Sequence, residues 1–451
     1  MSNPTLHSLH SPSLFKHASS VILGSTLALF SCISSANDVS QLGTSLTPVG
    51  AEKAGNSDGS IPEWTGGLEP KPAPSGRYEN PFAGESPTLT IDSSNVDQHA
   101  AKLSEGMVTL VKRYPSLKLN VYPTHRSASY PQKVYDAAKA NASTTKLVDD
   151  GNGIEEYKLS VPFPFPKTGV ELVWNHMTRY RGDSMIREVA QFSPLEDGTY
   201  NPTVMKDELL FVGDPDTNSL FFYKQTILSP ARVAGNVLLI QETINQVLEP
   251  RRAWLYNAGQ RRVRRAPQVV YDSPGNGSDN QRTTDNMDMF NGAPDQYSWK
   301  LLGKKEMYIP YNSYMLNETG VKYADIIKKG HLNPEKLRYE LHRVYEVEAT
   351  LVDGKRNLYS KRKVYFDEDT YQVAYIDMYD SRGKLWRVGE GHAMNFYDHQ
   401  VNAYAAEAIY DLNNGRYYVF GLFSENKGYE INHKTSEKEF TPNAIRRSGV
   451  R

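Results

Sequence analysis

The stretch Arg343-Val344-Tyr345-Glu346-Val347-Glu348-Ala349-Thr350-Leu351 alternates in character and runs into Asp353-Gly354. Alternation with period two marks a half-buried strand, and Asp-Gly is a strong hairpin signal. Strand-like runs continue downstream at residues 358–366, 373–379, 384–389, 407–412 and 417–423. Ser381-Arg382-Gly383 and Asn413-Asn414-Gly415 supply turns between them. Strands of this length joined by short Asp, Asn and Gly turns predict antiparallel meanders. Upstream, the same period reads strands at residues 299–308, 260–265, 253–256, 237–244 and 220–227, and it holds back to about residue 184. The chain has 29 tyrosines against 15 phenylalanines, which suits half-exposed sheet faces.

Before residue 184 the pattern is helical. Residues 95–112 carry Val96, Leu103, Met107, Leu110 and Val111. Residues 130–142 are rich in Ala and Lys and begin with Pro131, near a helix start where proline is tolerated. After the proline-broken run Val161-Pro162-Phe163-Pro164-Phe165-Pro166, Val170, Val173, Trp174, Met177 and Tyr180 recur at spacings of three and four. That spacing makes one apolar helix face. Ordinarily such a face fills a core; over a curled sheet it would instead lid a cavity, with the proline run as a strap.

The flanks read differently. Residues 1–36 hold no acidic residue, place Lys16 and His17 before an apolar run at 21–30, and end in Ser34-Ser35-Ala36. That is the layout of a secretory signal peptide, and the run is shorter than the roughly 20 residues that span a bilayer. Cleavage after Ala36 would leave about 415 residues starting at Asn37. The single cysteine, Cys32, also resembles a lipoprotein acylation site, with Phe30 a poor fit there. The expected location is therefore the periplasm, with lipid anchoring through Cys32 as the alternative. One cysteine excludes disulfides, zinc-thiolate sites and, after cleavage, a cysteine nucleophile. Residues 37–90, punctuated by Pro and Gly but carrying Trp64 and Phe82, read as an extended N-terminal arm docked on a body at 91–425. Residues 271–294 are a long polar insertion, of a kind that is usually functional or disordered. Residues 426–451 read as a loose polar tail.

With 51 basic and 52 acidic residues, net charge −1, no whole-molecule attraction to nucleic acid is expected. GxSxG, GxxxxGK[ST], HExxH and GxGxxG are all absent. No catalytic residue, metal or cofactor is therefore assigned. Glu340-Leu341-His342 and Glu390-Gly391-His392 each put a carboxylate and an imidazole on one strand face. Pairs fall short of the three or four ligands a metal needs, so a hydrogen-bonded polar face is expected. Convergence of these residues with Asp288 would instead favour a hydrolase. The run Arg261-Arg262-Val263-Arg264-Arg265 is the strongest charge feature. Alternation would send Arg262 and Arg264 one way and Arg261 and Arg265 the other. Its functional reading is contact with lipid headgroups or an acidic partner; its bland reading is a solvated strand pairing with nearby acids.

Several motifs resemble a bacterial family of exported proteins of unknown function, the DUF family numbered thirteen twenty-nine. They include Leu46-Thr47-Pro48-Val49-Gly50-Ala51-Glu52-Lys53-Ala54-Gly55-Asn56, Ile61-Pro62-Glu63-Trp64-Thr65-Gly66-Gly67 and Val121-Tyr122-Pro123-Thr124-His125-Arg126. Trp174-Asn175-His176 with Arg179-Tyr180-Arg181-Gly182, Gly259-Gln260-Arg261-Arg262-Val263-Arg264-Arg265-Ala266-Pro267 and Asp288-Met289-Phe290-Asn291-Gly292-Ala293-Pro294 extend the likeness to most of the chain. The family looks like a distant relative of the LolA and LolB lipoprotein carriers. The resemblance implies a mainly β fold with helices (α+β), an incomplete antiparallel β-barrel closed by helices. It also implies a hydrophobic ligand such as a lipid or acyl chain, and an envelope transporter or outer-membrane partner. Val170, Val173, Trp174 and Met177 are the expected ligand-facing residues, and Arg261, Arg262, Arg264 and Arg265 the expected headgroup or partner contacts. The arm and the insertion are additions that could fill the cavity and make the fold a scaffold.

Overall fold

The structure is a computed structural model and describes residues 38–73 and 77–448; the expected signal peptide and Cys32 lie outside the described residues. The meander is built from β11 (Tyr297–Pro310), β12 (Tyr339–Leu351), β13 (Lys361–Asp367), β14 (Val373–Tyr379), β15 (Leu385–Phe396), β16 (Val401–Asp411) and β17 (Tyr417–Leu422). Each pairs antiparallel with the next. β17 then pairs with β5 (Ser184–Phe192), and the sheet continues through β6 (Thr203–Asp214), β7 (Ser219–Ser229), β8 (Val237–Thr243), β9 (Arg252–Asn257) and β10 (Arg262–Arg265). The short strands β1 (Leu89–Ile91) and β2 (Leu119–Val121) join at β12, and β3 (Lys146–Val148) and β4 (Gly153–Glu155) form a separate hairpin. The two ends of the large sheet are not paired to each other. It is therefore an open, incomplete barrel rather than a closed one.

Alternation decides which residues face which layer. Val347, Val364, Ile376, Ile409 and Tyr418 lie in one apolar cluster, while Val344, Tyr365, Tyr375, Val388 and Tyr410 lie in a second one on the opposite face. Helix α1 (Glu105–Arg113) covers the second face with Met107, Leu110 and Val111. It starts later than residue 95 because the Ser104 hydroxyl accepts the amide of Met107 and caps it there; a 3-10 turn occupies Val96–Lys102. Helices α2 (Gln132–Thr144) and α3 (Gly169–Met177) cover the first face, and α3 begins in a capping box formed by Thr168 and Glu171. Both faces of the meander are thus buried.

Two sequence expectations change. Strand β6 is obscured in the sequence by Lys206-Asp207-Glu208; the middle residue is buried and paired with Arg187 at 2.9 Å, so its charge is neutralised across the sheet. The segment 426–451 is not a loose tail as far as residue 448. Strand β18 (Gly428–Ile431) pairs with β5, and after it comes helix α5 (Pro442–Ser448), the next α-helix in the chain after the single turn α4 (Tyr323–Ile326) between β11 and β12. Phe440 and Ile445 bury against Phe222, Val237 and Leu239 on the outer face of β7 and β8. Two apolar side chains in a polar segment are enough to dock it.

Residues of the 37–90 segment contact the body through charge as well as through rings. The Arg126 guanidinium donates to the carbonyls of Glu52 and Lys53 and bridges to Asp369 at 2.6 Å. Trp64 donates its indole N–H to the Ala128 carbonyl.

Candidate functional site

The polar insertion is the element that organises the interior. Its backbone folds on itself through Gly275 N–H to Arg282 O and Thr284 N–H to Ser273 O, both 2.8 Å. It is then pinned to the sheet by charges. Asp285 binds Arg362 of β13. Asn291 donates to Glu242 of β8, which also pairs with Arg251 at 2.5 Å. Asp288 accepts from both Arg179 and Arg181, at 2.5 and 2.6 Å, and the amide of Met289 donates to Glu407 of β16. Met289 and Phe290 bury in the main core.

These charges sit deep. Burial alone would raise the Asp288 pKa, but the Arg179 and Arg181 guanidiniums outweigh it and hold the carboxyl well below the usual range. Burial, followed by repulsion from Asp288, pushes Glu407 up to about 7. Burial lowers Arg181 to about 10 and His176 to about 3. The imidazole of His176 is therefore neutral at physiological pH: its Nε2 donates to the Asp288 carbonyl and its Nδ1 accepts the Val373 amide.

Between the insertion and strands β7 to β9 lies a cleft of about 170 Å³. Strand alternation builds its floor: Leu238 and Ile240 point into it, while Val237 and Leu239 face α5. Leu255, Val269 and Met287 complete the apolar wall. Tyr223, Gln225, Arg251 and Arg282 supply the polar groups. An apolar cleft with a few placed polar groups is the usual form of a small-molecule site.

The chain matches the family described as protein of unknown function DUF1329 over residues 90–446. This protein belongs to the DUF1329 family. It is 54% identical over 429 residues to the uncharacterized protein PA3922 of Pseudomonas aeruginosa, covering 92% of this chain and 94% of that one. Among solved structures it is similar to a putative outer membrane lipoprotein-sorting protein domain from Vibrio parahaemolyticus, at 15% identity and TM-score 0.45, with 62% of this chain and 98% of that chain covered. It is also similar to a DUF1329 family protein from Desulfovibrio piger, at 15% identity and TM-score 0.42, covering 58% and 92%.

In this family member the expected ligand face of α3 is packed into the core. Val173 and Trp174 are fully buried and the Trp174 indole donates to the Gly151 carbonyl at 2.9 Å. Val170 is half-buried against the same cluster. Met177 borders a recess of only about 50 Å³. The insertion seats beside this helix: its Asp288 is held by Arg179 and Arg181, directly beyond the end of α3. The expected arginine run lies at the sheet's free edge, β10. Arg262, Arg264 and Arg265 are exposed, whereas Arg261 sits in the preceding turn with φ 51° and not on the strand. Among the described residues these four form no ion pair; Arg265 stacks over Trp254 and Arg264 donates to Gln260. Charged side chains on an edge strand discourage pairing with another chain.

The two carboxylate–imidazole pairs stay separate from Asp288. Glu340 lies 3.3 Å from His342, accepts from Arg338 and Asn312, and is held below the ordinary range against burial by His342 and Arg338. Glu390 accepts instead from Tyr339, and burial raises it to about 7. What the sequence hid is the company of His342: its donor atoms and those of Asp367 and Asp369 lie within 4.8 Å of one another. Asp369 spends both oxygens on Arg126, and Asp367 accepts from Thr370. That leaves one Asp367 oxygen and His342 Nδ1, 4.0 Å apart, fewer uncommitted donors than a metal requires. The chemistry there is an ion network that ties the arm to the β13–β14 turn.

Sequence reasoning missed Arg179, Arg181, Arg251 and Arg282 as interior groups. The available signal was the mixture inside the insertion: Met287, Met289 and Phe290 are apolar residues beside acids in an otherwise polar loop, a composition that docks rather than floats.

Proposed function

We propose that this protein is an exported binding protein of the cell envelope that holds a hydrophobic or amphipathic compound and hands it to a transport system. Export rests on the layout of residues 1–36, and the periplasm is the location that layout implies. Among the described residues no helix is long and apolar enough to cross a membrane. Binding, not catalysis, is the proposed activity. The observation that carries it is the cleft of about 170 Å³ floored by Leu238 and Ile240 and roofed by the insertion. A ligand there touches β8, whose other face rests on α5, so the site sits on rigid strands rather than at a loop tip.

A second reading is favoured by a different observation. The sheet face under α3 is filled, and an unpaired arginine edge is exposed on β10. Those features fit a scaffold that contacts an acidic partner or lipid headgroups. One experiment separates the two. Protein purified from its native periplasm is extracted with organic solvent and analysed by mass spectrometry, and the stripped protein is titrated with a fluorescent fatty-acid probe. A co-purified amphiphile or saturable probe binding is expected. A clean extract together with no probe binding sinks the binding reading and leaves the scaffold.

A further inference from the structure

Arg282 is buried with no anion to hold. It is 8% exposed and lines the cleft. Its Nε and one terminal nitrogen have no hydrogen-bond partner, and among the described residues no carboxylate lies within ion-pairing distance of it. Its guanidinium lies over two ring faces, Tyr418 and Phe420, at 5.3 and 5.4 Å. The guanidinium cannot shed its proton in a protein, and a buried charge without a partner is costly.

The surrounding charge points the same way. Arg179, Arg181 and Arg282 are buried and Arg187 is half-buried; together they interact with Asp207, Asp288 and Glu407. Asp288 is shared by Arg179 and Arg181, and Asp207 is taken by Arg187. Glu407 accepts the Met289 amide and stands beyond ion-pair reach of Arg282. Four guanidiniums thus face three carboxylates, and the one left over opens onto an apolar cleft.

We infer that the cleft takes an anionic amphiphile, a monocarboxylate whose head docks on Arg282 and whose apolar body lies against Leu238, Ile240, Val269 and Met287. This inference rests on the binding reading above and specifies its ligand class. A carboxylate matches the planar fork of a guanidinium with two parallel hydrogen bonds. The cleft is close in size to an engineered cavity that accepts one benzene. The enclosed part of the body is therefore one ring or a chain of roughly six to eight carbons, and anything longer continues out of the cleft. Arg251 stands at the same wall but is already committed to Glu242, so Arg282 is the residue that reads the head.

The test is isothermal titration of the delipidated mature protein at neutral pH with octanoate, 1-octanol and octylamine, which share one chain and differ in the head. Octanoate should bind about tenfold or more tightly than octanol, the size of a charge-assisted hydrogen bond, and octylamine should bind weakest. Arg282→Gln should bring octanoate down to the level of octanol and leave octanol unchanged. Val269→Trp, which fills the cleft and leaves Arg282 in place, should abolish binding of all three; this variant decides the location if Arg282→Gln does not fold. Equal affinity for octanoate and octanol in the unaltered protein overturns the inference while the binding reading stands. Octanoate preference that survives either variant overturns it as well, by putting the carboxylate elsewhere. If none of the three binds and the fluorescent fatty-acid probe also fails, the inference falls together with the reading it rests on.

Discussion

Trp174 carries the residue-scale lesson, because its spacing ordinarily means core and would mean lid only over a curled sheet. Its ring is fully buried and its one polar atom is satisfied by Gly151. Removing it leaves a void and an unmet carbonyl. Trp174→Ala should therefore lower stability by about 3–5 kcal/mol, as other large-to-small core changes do. Ligand binding in the cleft should hardly change, since Trp174 does not line it. Urea unfolding with a parallel probe titration reads both; a small loss of stability with a large loss of binding would restore the lid role to α3. Arg282 is the opposite case: sequence places it in the long polar insertion with nothing to set it apart from a solvated charge, and only its surroundings make it a candidate for recognition.

The insertion at 271–294 is the element on which the interior depends. Its length and polarity predict a functional or disordered loop, and its seat is made by Asp285, Asp288 and Asn291, each bonded to a different part of the chain. Breaking a buried ion pair by removing one partner costs about 3–5 kcal/mol, because the other charge is stranded. Asp288→Ala strands two, Arg179 and Arg181. The expected result is a loss of at least that size and new protease cuts within 271–294 under native conditions. Limited proteolysis followed by mass spectrometry checks it, and a loop that stays protected would show that Asp285, Asn291, Met289 and Phe290 hold it without Asp288. Release of the loop should also remove the cleft, since the loop is its roof.

For the whole molecule, pH dependence follows from what the sheet buries. Burial pushes Asp367, Asp377, Glu390 and Glu407 up to about 7. A raised folded pKa means that the folded state keeps protons the unfolded chain has lost; the contribution is fully present below the unfolded value and is lost as pH rises through 7. Burial depresses His176 and His392 to about 3. Their contribution is present above the unfolded value of 6.5 and is lost as pH falls toward 3. The two sets oppose each other, and the carboxyls are more numerous. Between about pH 6.5 and about 4.5 the four carboxyls outweigh the two imidazoles, so stability should rise as pH is lowered from about 8 to about 4.5 and fall again below about 4, where only the imidazole loss continues. Glu390→Gln, which keeps an acceptor for Tyr339, should raise stability at about pH 8 by roughly 1–3 kcal/mol, with the gain shrinking on acidification. Thermal melts of both proteins across this range decide the matter: a stability that climbs from neutral to alkaline pH would contradict it.

Sequence determined the strands and their faces, because alternation is local: the run at 343–351 already separates Val344 from Val347, and the structure puts them in opposite clusters. It also determined family membership and the apolar stripe of α3. Tertiary structure alone decided what fills the sheet. Arg179 and Arg181 meet Asp288 across separations of 109 and 107 residues, and His342 meets Asp367 only because β12 and β13 pair. No local period records such a meeting. A charged residue looks the same in sequence whether it is solvated or stranded in a core. The burial that separates Arg282 from Arg262 is a property of the layers above and below it.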